Sequence, residues 1–219
     1  NKFIETVNLI HERYPDCDII LNLTTSGDIY ATDDTRLEHV QILKPEMASY
    51  DCGSMNWLNA SLFINSPAFL ERCGKLFQEL NVKPEIEAFD PGMIANAAYY
   101  LKKGVLKAPL HFQFCMGCAN GIPGSVKNLV FMKETMDQLC PGSTWSTFGV
   151  GHAAMENMYA AVAMGGHIRV GMEDNVMYAK GVLAESNAQL IERAARVIRE
   201  FGNDVATPDE AREILSLTK

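Results

Sequence analysis

The sequence predicts an α/β fold built on a parallel sheet. Short, continuously apolar runs alternate with stretches of helical spacing six times along the 219 residues, without a long linker, repeat or low-complexity segment. Continuous apolarity is typical of strands that are covered on both faces. Polar and glycine-rich residues follow these runs directly. Because such residues from every unit would meet at the carboxyl ends of the strands, the pattern favours a (β/α)8 barrel, or TIM barrel, over an open doubly wound sheet.

The individual elements follow from local patterns. Strands are predicted at 18–23, 47–50, 84–89, 110–115, 144–148 and 167–170, and the first of them reads as buried. Helices are predicted at 32–43, 66–80, 91–102, 125–138, 153–164, 185–201 and 207–217, and residues 3–10 also have helical spacing. Ser66 and Ser125 are suitable N-caps, and Pro67 suits a first helical turn.

Composition restricts the class of protein. A formal net charge of −8 argues against nucleic acid or an anionic membrane as the main partner. No run approaches the roughly 18 apolar residues of a membrane span. Six cysteines lie in apolar or helical contexts, which is typical of reduced thiols. We therefore expect a cytoplasmic protein. The chain opens at Asn1 inside helical spacing, so we also expect that its natural beginning is missing.

The most informative segment is 165–175, in which a short strand-like run between glycines ends at two adjacent carboxylates, Glu173 and Asp174. Because strand side chains alternate between faces, Arg169 and the acidic pair can converge on one pocket. An arginine can hold one carboxylate ionised while the other binds a divalent metal. A surface salt bridge in a loop is the alternative interpretation of the same spacing.

This segment and its continuation resemble the β-keto acid cleavage enzymes. The resemblance rests on residues 171–175 and on the runs 180–184, 186–190 and 206–212, and it extends over essentially the whole chain. That family has a (β/α)8 barrel fold. The resemblance therefore implies a single barrel domain over residues 1–219 that supplies the last six β/α units, with the first two strands located before Asn1.

The resemblance also implies an activity, a zinc-dependent acyltransferase that cleaves a β-keto acid with acetyl-CoA to give acetoacetate and a new acyl-CoA. One candidate substrate is 3-keto-5-aminohexanoate. In this reading Glu173 is a zinc ligand, and Asp174 is the catalytic base with Arg169 beside it. The family's other two zinc ligands form a His-x-His pair, which this sequence does not contain. Family members assemble, which implies a homo-oligomer, with a tetramer as one option.

The run 24–27 matches the family's substrate loop after the third strand. By resemblance Thr24 and Gly27 face the substrate, and Ser49 contributes from the next strand. Small hydroxyl residues and glycine allow backbone N–H groups to approach a carboxylate or keto oxygen, although many loops have this composition. Where the family usually has hydroxyl residues after its fourth strand, this chain has Asp51 and Cys52. That departure leaves the identity of the β-keto acid open.

Four other residues carry weaker signals. Cys115 and Cys118 lack the second pair that a structural zinc site requires, so a structural role is favoured. Glu87 lies inside a predicted strand and is a candidate for a buried, paired carboxylate that points into the barrel. His152 follows a predicted strand, and a structural role is favoured for this lone histidine, with lining of the pocket as the alternative.

Two alternative functions stay open at this stage. The first is a metal-dependent retro-Claisen or aldol lyase that uses the same metal and base but no CoA acceptor. The second is a non-catalytic barrel remnant that acts as a binding or assembly subunit, for which the missing His-x-His pair is the support. An assay with and without the acceptor separates the first alternative from the acyltransferase.

Overall fold

The computed structural model describes residues 2–28 and 30–217. The helices in this range are α1 (Lys2–Arg13), α2 (Asp33–Leu43), α3 (Pro67–Leu80), α4 (Pro91–Lys102), α5 (Val126–Leu139), α6 (Ala153–Ala163), α7 (Asn187–Glu200) and α8 (Pro208–Leu215). The strands are β1 (Asn22–Leu23), β2 (Met47–Asp51), β3 (Met55–Trp57), β4 (Ser61–Phe63), β5 (Lys83–Ala88), β6 (His111–Met116), β7 (Thr144–Gly149), β8 (His167–Ile168), β9 (Met177–Ala179) and β10 (Val182–Leu183).

One parallel sheet organises the described chain. Its six strands lie in the order β1-β2-β5-β6-β7-β8, so that each strand pairs with the next in sequence. Every pairing in this sheet is parallel. The helices α2 to α6 form the successive crossovers between these strands. Sequential order with helical crossovers is the arrangement of a (β/α) barrel rather than of a doubly wound sheet, in which the order reverses.

The sheet is strongly curled. Arg169, just beyond β8, reaches Glu87 on β5 with an Nη1–Oε1 distance of 3.3 Å. The rings of His111 on β6 and His167 on β8 have their centroids 6.3 Å apart. Neighbouring strands are spaced about 4.8 Å apart, so β5 and β8 would be separated by about 14 Å in a flat sheet. The cross-sheet contacts therefore define a half-barrel with a concave and a convex face.

The two faces of the half-barrel differ in chemistry. The convex face carries large buried apolar side chains that pack beneath the helices, including Tyr50, Ile86, Phe112 and Phe114. The alternate positions on the same strands face the concave side and are mostly polar. The main hydrophobic core therefore lies between the sheet and its helices.

Two helices begin at the N-cap residues that the sequence predicts. The hydroxyl of Ser66 accepts a hydrogen bond from Phe69 N at the start of α3, and that of Ser125 accepts one from Asn128 N at the start of α5. These contacts satisfy backbone donors that the first turn leaves free. The predicted N-caps are thus confirmed.

A buried arginine fixes the last helix beneath the sheet. Arg212 on α8 donates from Nη1 to Asp18 Oδ2 at 2.8 Å and from Nε to Glu46 Oε2 at 2.7 Å. Asp18 precedes β1 and Glu46 directly precedes β2, so both carboxylates lie at the amino-terminal side of the sheet. The cluster therefore closes the end of the half-barrel that is opposite to the carboxyl strand ends.

The edge strands are shorter than the sequence predicts. Only Asn22–Leu23 of the predicted strand at 18–23 is a strand, and Ile19 is 50% exposed, so the prediction of a buried strand is wrong there. The strand predicted at 167–170 is reduced to His167–Ile168. Within the described residues each edge strand pairs on one side alone, and a single neighbour orders fewer backbone groups than two.

Two short hairpins were absent from the sequence prediction. The strands β3 and β4 pair antiparallel in a segment that was predicted as a loop. Their connection contains Leu58 and Asn59 with φ of 50° and 59°, so no glycine or proline marks the turn. The strands β9 and β10 pair likewise around Gly181, whose φ is 76°. Here the Lys180-Gly181 pair was a usable turn signal.

We expect Gly149→Ala to destabilise the fold. A Cβ at the end of β7 would lie 2.4 Å from the carbonyl oxygen of Ala153 in the first turn of α6. Because that neighbour is backbone, the free energy of unfolding should fall by about 1–3 kcal/mol. At Gly171 the nearest atom to a Cβ is Asn187 Oδ1 at 3.8 Å, so Gly171→Ala should stay within about 0.5 kcal/mol. Urea denaturation of both variants measures this, and equal midpoints would contradict the close approach.

Candidate active site

The concave face of the half-barrel forms an open trough of about 1360 Å³. Its wall carries titratable and amide side chains at alternate positions of successive strands, among them Asp51, Glu85, Glu87, His111, Gln113 and Arg169. Barrel interiors are usually filled by layers of branched apolar side chains. A polar interior is costly to bury, so this surface is a site for a ligand rather than packed core.

Arg169 organises the carboxyl end of the trough. Its Nε and Nη2 donate to Oδ2 and Oδ1 of Asp174 at 3.0 and 2.9 Å, a bidentate arrangement. Nη2 also donates to Glu173 Oε2 at 2.7 Å, and Nη1 donates to Glu87 Oε1 at 3.3 Å. The guanidinium carbon lies 4.3 Å from the centre of the Phe148 ring. Three carboxylates and one aromatic face therefore fix the plane of this side chain.

Backbone hydrogen bonds hold the acidic pair in place. Arg169 N donates to Thr147 O at 3.0 Å, which continues the pairing of β7 and β8 by one residue. Asp174 N donates to Gly171 O at 3.2 Å and closes a turn. Gly151 N then donates to Asp174 O at 3.1 Å, which ties this turn to the end of β7. The convergence that strand alternation predicts for Arg169 and the acidic pair is present.

The two adjacent carboxylates have different environments. The Asp174 side chain is 8% exposed, and burial raises the pKa of Asp174 to about 6 against the opposing effect of Arg169. The Glu173 side chain is 83% exposed. Burial acts to lower the pKa of Arg169, but the charge of Asp174 and the hydrogen bonds to it oppose burial, and the pKa is raised. One carboxylate is thus a buried base, and its neighbour reaches toward solvent.

Glu87 is the third carboxylate on Arg169. It lies on the concave side of β5, and burial together with the adjacent Asp51 raises the pKa of Glu87 well above its ordinary value. The sequence prediction of a buried, paired carboxylate that points into the barrel is confirmed. Because its proton affinity is high, Glu87 can remain protonated beside an arginine that is already paired with Asp174.

The predicted substrate loop lies on the wall that β1 and β2 form. Thr24, Gly27 and Ser49 all line the trough. Ser49 Oγ accepts a hydrogen bond from Thr25 N at 2.9 Å, and Thr25 Oγ1 donates to Ser49 O at 2.9 Å. Ser49 is only 2% exposed, so it holds the loop from behind while Thr24 and Gly27 form its open side.

Arg36 is a residue of this region that sequence reasoning missed. From α2 it donates to Thr25 O at 2.7 Å, to Ile64 O at 3.0 Å and to Asn65 Oδ1 at 2.5 Å. It thereby joins the substrate loop to the segment that follows the β3–β4 hairpin. Burial lowers the pKa of Arg36. Two of its partners are backbone carbonyls, which no sequence pattern identifies.

His111 lies deeper in the trough in a neutral state. Its Nδ1 lies 2.9 Å from Thr144 Oγ1, and its Nε2 lies 3.2 Å from Ser146 Oγ. Burial, reinforced by His167, lowers the pKa of His111 to about 3. Burial also raises the pKa of Glu85, whose Oε1 lies 4.0 Å from His111 Nε2. Both groups therefore disfavour ionisation, and this contact is not a full ion pair.

The weaker sequence signals, those of Cys115, Cys118 and His152, have different outcomes in the structure. Cys115 and Cys118 are buried and free, and burial raises the pKa of both thiols, which makes them poor nucleophiles. The structural interpretation of this pair fits their positions. His152 is exposed at the start of α6 and is not among the described residues that line the trough, so the alternative in which it lines the pocket is wrong.

The described residues do not form a zinc site by themselves. Between residues 2 and 217, apart from residue 29, no group of three or more His, Cys, Asp or Glu side chains is placed to hold a metal ion. Glu173 offers one exposed carboxylate, and its Oε2 already accepts from Arg169. A zinc centre normally takes at least three protein ligands. The donor set seen here therefore fits one ligand of such a centre and not the whole.

The polar half-barrel and its arginine–carboxylate cluster belong to an enzyme class that sequence comparison identifies. The family model for the β-keto acid cleavage enzymes matches residues 1–217, and this chain belongs to that family. The predicted family and the predicted enzyme class are thereby confirmed.

Two relatives illustrate the range of the family. The chain is 44% identical over 218 residues to the 3-keto-5-aminohexanoate cleavage enzyme of Fusobacterium nucleatum, an alignment that covers 100% of this chain and 77% of the relative. It is 35% identical to the 3-dehydrocarnitine:acetyl-CoA trimethylamine transferase of Rhizobium meliloti, with 94% of this chain and 74% of the relative covered.

Solved structures share the fold. The ternary complex of ObcA with a C4-CoA adduct and oxalate superposes with a TM-score of 0.83 at 19% sequence identity, covering 96% of this chain and 55% of ObcA. The apo structure of ObcA gives a TM-score of 0.82. The predicted (β/α)8 barrel class is confirmed. The chain spans about half the length of these solved structures.

We expect His111→Gln to flatten the acid dependence of stability. Below about pH 6.5 the unfolded state binds a proton on this histidine, while the folded state stays neutral until about pH 3. Stability that is present above pH 6.5 is therefore lost as the pH falls. In the variant the free energy of unfolding should fall less steeply between about pH 6.5 and 4.5, by up to about 1.4 kcal/mol per pH unit.

Urea unfolding at several pH values measures this slope. His152→Gln, at an exposed position, is the matched control and should leave the wild-type slope unchanged. A His111→Gln slope that equals the wild-type slope would show that His111 is not held neutral in the folded protein.

Proposed function

We propose that this chain provides the catalytic barrel of an acyltransferase that cleaves a β-keto acid with acetyl-CoA. The products are acetoacetate and the acyl-CoA of the remaining chain. One observation carries the proposal. The buried carboxylate of Asp174 accepts bidentate hydrogen bonds from Arg169 at the carboxyl end of a polar trough. The name of the Rhizobium relative specifies acetyl-CoA, which favours an acceptor over a lyase without one.

Asp174 is the base of the proposed reaction. The C2 hydrogens of a β-keto acid are acidic because they lie between a keto group and a carboxylate. A carboxylate with a pKa of about 6 is ionised at neutral pH and is still basic enough to accept such a proton. Arg169 orients this carboxylate and keeps a positive charge beside it as negative charge passes to the substrate. Glu87 supports the arginine from its other side.

The remaining steps form one carbon–carbon bond and break another. The C2 carbanion attacks the thioester carbonyl of acetyl-CoA, which forms one bond and releases the CoA thiolate. The thiolate then adds to the original keto carbon, and the bond between C2 and C3 breaks. Acetoacetate leaves as a carbanion that takes back the proton held by Asp174, and the rest of the substrate leaves as its CoA thioester.

The loop at 24–27 is proposed to orient the substrate. Thr24 and Gly27 form its open side, and Ser49 supports it from β2. Ser26 N donates to Thr24 Oγ1 at 3.0 Å, and Arg36 holds the Thr25 carbonyl. A loop that is fixed from both sides presents its polar groups in one geometry, which favours productive binding. Among β-keto acids, 3-keto-5-aminohexanoate is the first candidate, since the Fusobacterium relative is named for it.

Zinc is the proposed metal, with Glu173 as the ligand from this chain. Its exposed carboxylate lies next to the buried base and lines the trough. When bound, zinc would polarise the oxygens of the β-keto acid and make C2 more acidic. Among the described residues no further side chains join Glu173 in a group that could hold a metal ion.

A cytoplasmic homo-oligomer is the proposed cellular form. All six cysteines are free thiols, which fits a reducing compartment. None of the helices in the described part of the chain is long and apolar enough to cross a membrane. The β9–β10 hairpin exposes Val182 and Leu183, the latter at 64%, and exposed apolar hairpins are common contacts between subunits.

We expect Asp174→Asn to lower kcat by about 100-fold or more, because the amide keeps the shape of the side chain but cannot accept the proton. Arg169→Lys keeps the charge and loses the planar fork, so it should also be harmful, through positioning of Asp174 and substrate. Asp204→Asn changes an exposed carboxylate that pairs with Arg199 and is not among the described residues that line the trough, so it serves as control. Steady-state kinetics with acetyl-CoA and 3-keto-5-aminohexanoate measure all three. Near-normal turnover of Asp174→Asn would move the base elsewhere.

We expect Glu173→Gln to reduce the zinc content of the purified protein, because it replaces a charged ligand by a neutral one. Asp174→Asn should retain the metal, which makes the neighbouring position its matched control. Elemental analysis after dialysis against a weak chelator measures the bound metal. Equal zinc in both variants would remove Glu173 from the ligand set.

A further inference from the structure

Asp51 is a buried carboxylate in the wall of the trough. It ends β2, is 1% exposed and lines the trough. Its Oδ2 accepts long hydrogen bonds from Ser26 Oγ at 3.3 Å and from Ser49 Oγ at 3.4 Å. Its Oδ1 has no hydrogen-bond partner among the described residues. Because an unpaired buried carboxylate oxygen is costly, the position provides an acceptor for a donor that comes from a ligand.

No cationic side chain of the described residues donates a hydrogen bond to Asp51. Burial lowers the pKa of Arg36 and raises that of the adjacent Glu87, and the charge of Asp51 opposes the first effect and adds to the second. Arg36 lies in the same wall, but its donors go to Thr25 O, Ile64 O and Asn65 Oδ1. The register neighbour of Asp51 on β5 is Glu87, a second carboxylate. Asp51 therefore has weak hydroxyl donors at Oδ2, while Oδ1 has no donor at hydrogen-bond distance among the described residues.

A second unpartnered polar atom lies in the same row of the sheet. Gln113 is the register neighbour of Glu87 on β6, and its Nε2 is buried without a hydrogen-bond partner among the described residues. Unpaired groups thus flank Glu87 on both sides, and both residues line the trough. A polar ligand that extends along this row would satisfy them, whereas an apolar one would leave them unpaired.

The trough as a whole favours positive charge. Its described lining includes two guanidinium groups, Arg36 and Arg169, and six carboxylates. The carboxylates are those of Asp28, Asp51, Glu85, Glu87, Glu173 and Asp174. Because Glu85 and Glu87 favour protonation, the negative charge in the middle of the wall is that of Asp51. This charge attracts a cation there and repels a second anionic group of a substrate. A β-keto acid whose far end carries an ammonium group has no net charge and enters this field without repulsion.

The spacing suits a short substrate. Glu87 touches the Arg169 guanidinium at 3.3 Å, and Asp51 lies one strand beyond Glu87. A strand spacing is about 4.8 Å. In a six-carbon β-keto acid, a substituent on C5 lies three carbons beyond the reacting C2, a comparable separation.

We propose that Asp51 determines substrate specificity by binding, through Oδ1, an ammonium group at the distal end of the β-keto acid. The substrate class of this chain is then the amino-β-keto acids rather than the neutral or dicarboxylic ones. This inference rests on the proposed function and adds to it the residue that recognises substrate charge.

The test compares two substrates that differ by one group. The first is 3-keto-5-aminohexanoate, and the second is 3-keto-5-methylhexanoate, in which a methyl group replaces the ammonium group. In Asp51→Asn, kcat/KM for the amino substrate should fall by at least about tenfold, because the amide keeps the shape and loses the charge. For the methyl substrate the change should stay within about threefold. The preference of the enzyme for the amino substrate should therefore fall at least tenfold.

Asp28→Asn is the matched control, because it removes the same charge from the exposed rim of the trough. The preference for the amino substrate should stay within about threefold of the wild-type value in this variant. An unchanged preference in Asp51→Asn, or an equal fall in Asp28→Asn, would overturn the assignment to Asp51.

Binding to the wild-type protein separates this inference from the proposed reaction. Calorimetric titration with 5-aminohexanoate and 5-methylhexanoate, which lack the keto group, needs neither turnover nor a variant. The amino acid should bind at least about tenfold more tightly. Equal affinities would overturn the role of Asp51 even if both keto acids are cleaved. Tighter binding of the amino acid without any cleavage would support Asp51 and contradict the acyltransferase.

Discussion

The arrangement of the site depends on one guanidinium group that spans the curl of the sheet. Arg169 leaves the last strand of the half-barrel, yet it contacts Glu87 three strands away while its fork holds Asp174. This geometry exists only because the sheet curves. The sequential strand order with a helix at every crossover is the arrangement in which a parallel sheet curls into a (β/α) barrel. Asp174 is thereby positioned by the wall of the half-barrel, through Arg169, and not by its own loop alone.

The cost of this arrangement is a row of buried carboxylates with few counter-charges. Glu85 and Glu87 respond by favouring protonation, and His111 responds by favouring its neutral form. Asp51 Oδ1 is buried without a hydrogen-bond partner among the described residues, and this is the reason to connect it with a ligand. The buried carboxylates lower the stability of the folded wall. Their electrostatic field is also the proposed source of selectivity for the charge of a ligand in the trough.

The sequence predicted the features that depend on local patterns. Apolar runs and caps such as Ser66 and Ser125 located the sheet and helices, and strand alternation placed Arg169 beside Asp174. Other features depend on partners distant in the chain. Arg36 binds backbone carbonyls, and the turn at Leu58 and Asn59 lacks glycine. The short β1 reflects its position at the edge of the described sheet, where it pairs with β2 alone, rather than its own residues. Such properties arise from the assembled fold, so no local signal could reveal them.

The separation of apolar and polar residues onto opposite faces of the sheet has an evolutionary consequence. Side chains such as Phe112 and Phe114 pack against the helices on the convex face, whereas Asp51 and Gln113 point away from that core. A substitution on the concave face therefore changes recognition while the packing that maintains the fold is left alone. Genes with this architecture can explore new substrates by point mutation without passing through unfolded intermediates, and enzymes of very different specificity can descend from one stable scaffold.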